Sequence, residues 1–237
     1  MTTANDPDQQ PQGINRRRLK MIPVVLPMMV AVFMFLPAGT WAWTKGWLFI
    51  LVSLGTVTIA TLYVWRVNAE VLVARSRTHE GTKRWDKILL CFLFPTMWAV
   101  VVVAALDDGR FHWCPLPWWV CGVGYLMLLV GIGIGTWAEA ANRFFEPTVR
   151  IQTDRGQVVI DSGPYAIIRH PGYAGAILAT IGIALSLGSL WALIPALLAS
   201  FLLALRTHWE DQTLRAELSG YEEYAQNVRY KLIPGLW

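Results

Sequence analysis

Charged residues are scarce in this chain: they make up 15% of its 237 residues, where an average soluble domain has about 25%. Hydrophobic residues account for 55% and mean hydropathy is +0.42, so a membrane solution has to be tested before a soluble one. Cysteine is also rare, and Cys91, Cys114 and Cys121, all in or beside apolar stretches, are too scattered for a disulfide framework. The four histidines, His79, His112, His170 and His208, show no paired spacing with each other or with cysteine, which argues against a zinc site. There is no Gly-x-Ser-x-Gly elbow and no Walker-type loop. The GIGIG at 131–135 follows no strand and lies inside an apolar run, so it lacks the setting of a dinucleotide loop. Gly131 and Gly135, four apart, read instead as a close helix-packing face. No internal repeat and no second folded domain is visible.

What the chain does have is long uncharged runs, at 21–44, 46–65, 88–106 and 113–138. Each supplies the roughly 20 residues that a helix needs to cross a ~30 Å hydrocarbon core. A fifth run, 171–205, would measure about 50 Å as one helix and must be broken. Leu187-Gly188-Ser189-Leu190 offers the break. The chain therefore reads as an all-α, polytopic membrane bundle of about six spans, the last two forming a C-terminal helical hairpin. Basic residues test this count independently of hydropathy. All of the 20 lysines and arginines except Lys45 and Arg110 fall on one side, which places both termini in the cytoplasm. The net charge of +4 is then mostly a topology signal, and with no recognition motif beside it no nucleic-acid partner is expected.

The organisation follows from these runs. Residues 1–20 read as a disordered cytoplasmic tail, 21–138 as four N-terminal transmembrane helices, and 139–237 as a region with a long cytoplasmic connection, the hairpin and a C-terminal cytoplasmic tail. The Arg16-Arg17-Arg18 cluster precedes a long run followed by further spans, so it marks an uncleaved first helix rather than a secretory signal. Trp41, Trp43, Trp47, Trp113, Trp118 and Trp119 sit where spans should surface and fit an interfacial belt. The segment TVRIQTDRGQVVIDSG, 148–163, has two β-branched runs around Asp154-Arg155-Gly156 and reads as an extended or hairpin-like piece. Bare extended backbone is not tolerated against lipid, so it lies at the membrane surface or packs in protein.

Two cytoplasmic features carry chemistry. The first is Arg169-His170-Pro171-Gly172-Tyr173, where the hairpin begins. Pro171 suits the first turn of a helix and Arg169 the positive side of the membrane. The free N–H groups of that turn, together with Arg169 and His170, equally suit an anion such as a carboxylate. The second feature is Arg206-Thr207-His208-Trp209-Glu210-Asp211. Arg206 and Glu210, four apart, share a helical face and are open to an ordinary intrahelical ion pair. If the hairpin helices are about 16 residues each, the second must run past Leu205, which sets both groups near the interface, where ionisable side chains have a partner or a task.

These residues carry a resemblance. GPYAIIRHPGYAG, preceded by NRFFEPTVRIQTDRGQVVI and followed by RTHWEDQTL, GYEEY and YKLIPGLW, resembles the isoprenylcysteine carboxyl methyltransferase family and its bacterial and phospholipid-methylating relatives. The match spans 142–237, with the motifs in the expected order. The resemblance implies an integral-membrane enzyme that takes S-adenosyl-L-methionine from the cytosol and methylates a lipophilic or lipidated substrate from the bilayer. It implies cofactor contacts at Gln157, Val158, Val159, Ile160, Tyr165, His170, Pro171, Gly172, Tyr173 and Glu210, with a further one at Arg150 or Gln152. Arg169 joins them through the anion reading of the same motif. The resemblance implies that Arg206 faces the substrate. Where relatives carry a run of glutamates, this chain has His208-Trp209-Glu210-Asp211, which leaves Glu210 as the acidic contact and weakens the case for Asp211.

A carboxylate acceptor would need no base and could be held bidentately by Arg206. An amine or thiol would have to lose a proton, for which His170 or Glu210 are the candidates. The alternatives are a membrane sterol- or enone-type NADPH reductase, whose similar hairpin favours Asn where this chain has Gly172 and an acid where it has Ala176, and a non-catalytic scaffold. Retention of Tyr165, Arg169, His170, Tyr173, Arg206 and Glu210 together speaks against the scaffold.

Overall fold

A computed structural model describes residues 28–75 and 81–237. The tail at 1–20 with Arg16, Arg17, Arg18 and Lys20, the start of the first apolar run, and Arg77 and His79 lie outside the described residues. Within them the protein is all-helical, as its runs require: α1 (Met28–Ala38), α2 (Thr44–Arg75), α3 (Arg84–Ala104) prolonged by a π-helical turn (Ala105–Phe111), α4 (Trp118–Ala141), α5 (Pro171–Ser186), α6 (Leu193–Glu217) and α7 (Tyr221–Asn227). α2, α3 with its extension, and α4 are long and apolar enough to cross a membrane; α1 and α5 are shorter apolar helices. Leu51, Ile59, Leu62 and Leu126 point outward, forming the kind of surface that lipid covers.

The hairpin breaks where the sequence predicts. α5 starts at Pro171 and stops at Ser186, and Gly188 takes a φ of +77 that L side chains rarely adopt. α6 then runs through its apolar half and on past Leu205 to Glu217. No residue of α5 is exposed, because α4, α6 and α3 pack around it. The α4–α5 contact is antiparallel and at backbone distance. A Cβ on Gly131 would lie 2.6 Å from the Gly175 carbonyl oxygen, and one on Gly182 would lie 2.5 Å from the Leu128 nitrogen. Gly131 therefore is a packing glycine, but its partner along α4 is Gly124, whose added Cβ would lie 2.3 Å from the Ser186 nitrogen. Gly135 differs: nothing stands within 4 Å of its own Cβ position, and it borders a cavity.

α2 is kinked at Asn68 (φ −150, ψ 62), and the Asn68 side chain donates to the carbonyls of Glu139 (3.0 Å) and Ala140 (3.4 Å). It thereby satisfies C-terminal carbonyls of α4 that have no intrahelical partner. At the opposite end of the bundle the π turn carries two buried aspartates. Asp108 receives Lys45 Nζ (2.6 Å) and Trp43 Nε1 (2.8 Å), while Asp107 receives the Ser189 hydroxyl (2.6 Å) and the Cys114 amide (2.7 Å). Lys45, expected on the outer side, is thus paired at the end of the bundle away from Asn68. Of the proposed tryptophan belt, Trp41, Trp47, Trp113, Trp118 and Trp119 are exposed, but Trp43 is buried because its indole N–H serves Asp108.

The segment 148–163, expected to be extended or hairpin-like, keeps the turn, which the Gln157 amide closes on the Gln152 carbonyl (3.1 Å), but forms no strand pair. The turn is a 3-10 helix at Thr153–Arg155 followed by left-handed Gly156. No strand ladder flanks it, because the backbone groups pair elsewhere: the Val149 amide donates to Asp86 Oδ2 (2.8 Å), the Val149 carbonyl accepts from the Lys83 amide (3.0 Å), and the Gln152 amide donates to Gln157 Oε1 (2.7 Å).

Asp211, doubtful from sequence, is the junction of the end of the bundle where the C-terminal tail lies. Its carboxylate accepts from Arg169 Nε (2.7 Å) and Nη2 (3.2 Å) and from Tyr221 (3.1 Å), with Lys231 and Arg215 each at 3.3 Å. Burial alone would raise its pKa; hydrogen bonds and charge from His170 and Arg169 more than offset this and hold the carboxyl well below the usual carboxylate range. Arg169 Nη1 also donates to the carbonyls of Val228 (2.7 Å) and Arg229 (2.8 Å), and the Arg169 and His170 amides donate to the Tyr230 and Lys231 carbonyls, both at 3.0 Å. The C-terminal tail is docked against the start of α5 by this set.

Two outcomes follow. Gly131→Ala must separate α4 from α5 and should cost about 1–3 kcal/mol, read as a lowered thermal midpoint in detergent. Asp211→Asn leaves buried cations without their counter-charge, a loss of about 3–5 kcal/mol, and should make residues 228–237 susceptible to limited proteolysis at pH 7. Because the folded Asp211 pKa is depressed, its contribution is present above the unfolded value of about 3.9 and fades only as pH falls toward the folded value, so the wild-type tail should resist protease equally at pH 5.

Candidate active site

A cavity of about 780 Å³ opens where the hairpin meets the 142–165 segment. Its size is within the usual range of small-ligand sites. One half is polar, lined by Tyr165, His170, Tyr173, Arg206 and Glu210 together with Gln157, Val158, Val159 and Ile160. The other half is apolar, with Val57 and Ala60 from α2, Phe94 and Met97 from α3, and Ile132 from α4. Arg169, Gly172, Arg150 and Gln152 also border it. Of the residues picked from sequence, Pro171 alone is missing from the lining; it is buried as the first residue of α5.

Each group is positioned by its element. His170 is the residue before α5, and its ring stacks on Tyr173 three residues on, with centroids 5.9 Å apart and planes at 24°. Gly172 lies between them because a Cβ there would come within 2.7 Å of the Phe145 ring. Tyr173 donates its hydroxyl to Glu210 Oε2 across the hairpin. Tyr165 is held from both sides: its hydroxyl accepts from Asn142 Nδ2 (3.2 Å) and its carbonyl accepts from the Tyr224 hydroxyl (2.7 Å). Burial pushes the Tyr165 and Tyr224 phenols up, so Tyr224 stays protonated and able to donate.

Three expectations change. The Arg206–Glu210 ion pair does not form. Arg206 Nε and Nη2 clasp Asp86 (2.7 and 3.1 Å), Nη2 also donates to the Pro147 carbonyl (2.7 Å), and Glu210 turns to Tyr173. The bidentate edge of Arg206 is thus occupied by protein, leaving Nη1 outside these bonds. The anion reading of the motif also weakens. The Tyr173 and Ala174 amides bond the His170 carbonyl (both 3.2 Å), and Arg169 is engaged by Asp211 and the tail, so the turn presents side chains to the cavity. Of the pair Arg150 and Gln152, neither is unengaged: Arg150 is bound by Glu146 and Asp154, and Gln152 donates from Nε2 to the Phe144 carbonyl (2.7 Å) and accepts from Arg155 (2.6 Å). Arg150 is accordingly held more firmly protonated, mainly by its hydrogen bond to Glu146.

Sequence reasoning missed Asp86. It is fully buried in the first turn of α3, 120 residues from Arg206. The one signal available was an aspartate at the edge of an apolar run, a place where an ionisable group needs a partner.

Comparison with known proteins points to the same part of the chain. Residues 119–219, α4 to the end of α6, match the family model described as phospholipid methyltransferase. Two rice proteins, from Oryza sativa subsp. indica and subsp. japonica, each named "Probable protein-S-isoprenylcysteine O-methyltransferase", are 33% identical over 119 residues, covering 47% of this chain and 60% of theirs. "Protein-S-isoprenylcysteine O-methyltransferase B" of Arabidopsis thaliana is 29% identical over 114 residues, 47% of this chain and 58% of its own length. The chain thus spans about 60% of the length of the curated relatives it matches. Three long apolar helices and this kinship make it a membrane protein. The motifs around the hairpin, the 119–219 match and the plant relatives together make this part of the chain similar to the isoprenylcysteine carboxyl methyltransferase and phospholipid methyltransferase family.

Proposed function

We propose that the protein is an S-adenosyl-L-methionine-dependent methyltransferase that modifies the carboxylate of a lipophilic, isoprenylcysteine-like acceptor at the cytoplasmic face of a membrane. The observation that carries this is the single cavity with a polar half on the hairpin and an apolar half on α2, α3 and α4. A water-soluble donor and a bilayer-soluble acceptor need such a place to meet. The family implies a methyl donor. The polar half fits S-adenosyl-L-methionine: Glu210, aimed by Tyr173, complements a cationic or hydroxyl-bearing group, and the His170 and Tyr173 rings, with Val158 and Val159, offer faces for a planar base. In this reading Gln157, Val158, Val159, Ile160, Tyr165, His170, Gly172, Tyr173 and Glu210 hold the donor, Pro171 fixes the start of α5, and Arg169 acts by docking the tail.

When bound, the donor supplies an electrophilic methyl carbon: a C–O bond to the acceptor carboxylate forms as the C–S bond breaks, and sulfur keeps the electron pair. The protein's part is alignment in dry surroundings, an effect of up to ~7–11 kcal/mol. Arg206 favours a carboxylate over an ammonium acceptor by charge. α2 packs mainly on α4, with little contact to α3, while Val57 and Phe94 both border the apolar half, so the acceptor's hydrocarbon enters between those helices. Both termini are cytoplasmic and the chain passes about six times, the N-terminal helices forming the acceptor side and 139–237 the catalytic side. The distribution of lysine and arginine supports this, with Lys45 at the end away from the cavity. Neither the reductase nor the scaffold alternative draws support from the relatives.

Calorimetry on the detergent-purified protein should show binding of S-adenosylhomocysteine and none of NADPH; binding of NADPH alone overturns the reading. Glu210→Ala and His170→Ala should each weaken S-adenosylhomocysteine, Glu210→Ala by about 10–100-fold, the worth of a charged hydrogen bond. A bulky Val57→Trp should leave that affinity unchanged and raise KM for N-acetyl-S-farnesylcysteine. Methylation of phosphatidylethanolamine vesicles in place of that compound would move the acceptor from carboxylate to amine.

A further inference from the structure

Asp86, Arg206 and the 147–149 segment form a closed ring. Asp86 Oδ1 and Oδ2 accept from Arg206 Nε and Nη2, Arg206 Nη2 donates to the Pro147 carbonyl, and the Val149 amide donates back to Asp86 Oδ2 (2.8 Å). Asp86 is wholly buried and Arg206 is 6% exposed, yet Arg206 borders the cavity. A guanidinium has five N–H donors in a rigid planar fork. Here three are fixed by the ring, and the Tyr173 ring lies 5.4 Å from the guanidinium carbon, so the plane has no freedom to turn. What remains is Nη1, pinned at one place and in one direction. An arginine without Asp86 would be free to swing its two-toothed edge onto any anion, and would carry an unpaired charge beside hydrocarbon.

We infer that Asp86 is a positioning residue of the active site: by holding the Nε/Nη2 edge of Arg206 it aims Nη1 at the acceptor carboxylate and sets the site's preference for the free acid. This rests on the function proposed above. It also replaces the bidentate grip expected from sequence with a directed single-nitrogen contact. Such a contact leaves the second carboxylate oxygen unclaimed by the arginine and available as the nucleophile.

The experiment compares binding of N-acetyl-S-farnesylcysteine with that of its methyl ester, by calorimetry, in wild type and Asp86→Asn. S-adenosylhomocysteine affinity is measured on the same samples as the check of fold and donor site. Wild type should prefer the acid by about tenfold, one charged hydrogen bond. Asp86→Asn should bind S-adenosylhomocysteine within about twofold of wild type and lose most of the acid preference, with kcat per donor site down about tenfold or more. Asp86→Glu, which keeps the charge, should recover part of both and decides the matter should Asp86→Asn not be obtained folded. Retention of the wild-type acid preference and kcat in the variant overturns the inference, as does a wild type that binds acid and ester alike. Failure of the proposed function would show separately, as a wild type that does not bind S-adenosylhomocysteine.

Discussion

The site depends on how closely α5 can approach α4. Gly124, Gly131, Gly175 and Gly182 let the two backbones touch, and the start of α5 is thereby held where His170 and Tyr173 meet α6. In lipid, where no hydrophobic drive pushes helices together, packing of this kind is a main source of association. It also explains how a helix of 16 residues, about 24 Å long, survives in a bundle whose neighbours can span a membrane. None of its residues is exposed, so its length need not match that of the bilayer.

Buried charge marks both ends of this packed unit. Lys45 with Asp108, Arg206 with Asp86, and Arg169 with Asp211 are each paired and further hydrogen-bonded, the condition under which such groups can be buried. Every pair joins elements distant in sequence. Each also fixes a piece of irregular chain: the π turn, the 147–149 segment and the C-terminal tail. Polar registry at the ends and glycine contact in the middle therefore divide the work of assembly.

Much of this was legible in the sequence, and the reasons differ by feature. The helical runs and the break at Gly188 follow from charge-free length and from one turn that nothing else could supply. The candidates around the hairpin converge on one cavity because Arg206 and Glu210 sit one turn apart on the helix that α5 must fold against. The failures share a cause. Local spacing leaves Arg206 and Glu210 open to pairing with each other and puts Trp43 in the belt, because it says nothing of Asp86 or Asp108 far away in the chain. The β-branched pattern at 148–163 locates the turn but not the pairing: one backbone bond, from the Gln157 amide to the Gln152 carbonyl, crosses it, and other partners are side chains and loops rather than a second strand.

The kink at Asn68 joins the lower part of α2 to the end of α4, while above it most of α2 presents large side chains outward. Val57 and Ala60, which border the cavity, therefore belong to a helix with hydrocarbon rather than protein at its back. The lipid is in effect the outermost layer of the site. Lateral pressure and acyl-chain order in the surrounding bilayer bear directly on the width of the chamber, and a micelle that solvates α2 differently is a change to its wall.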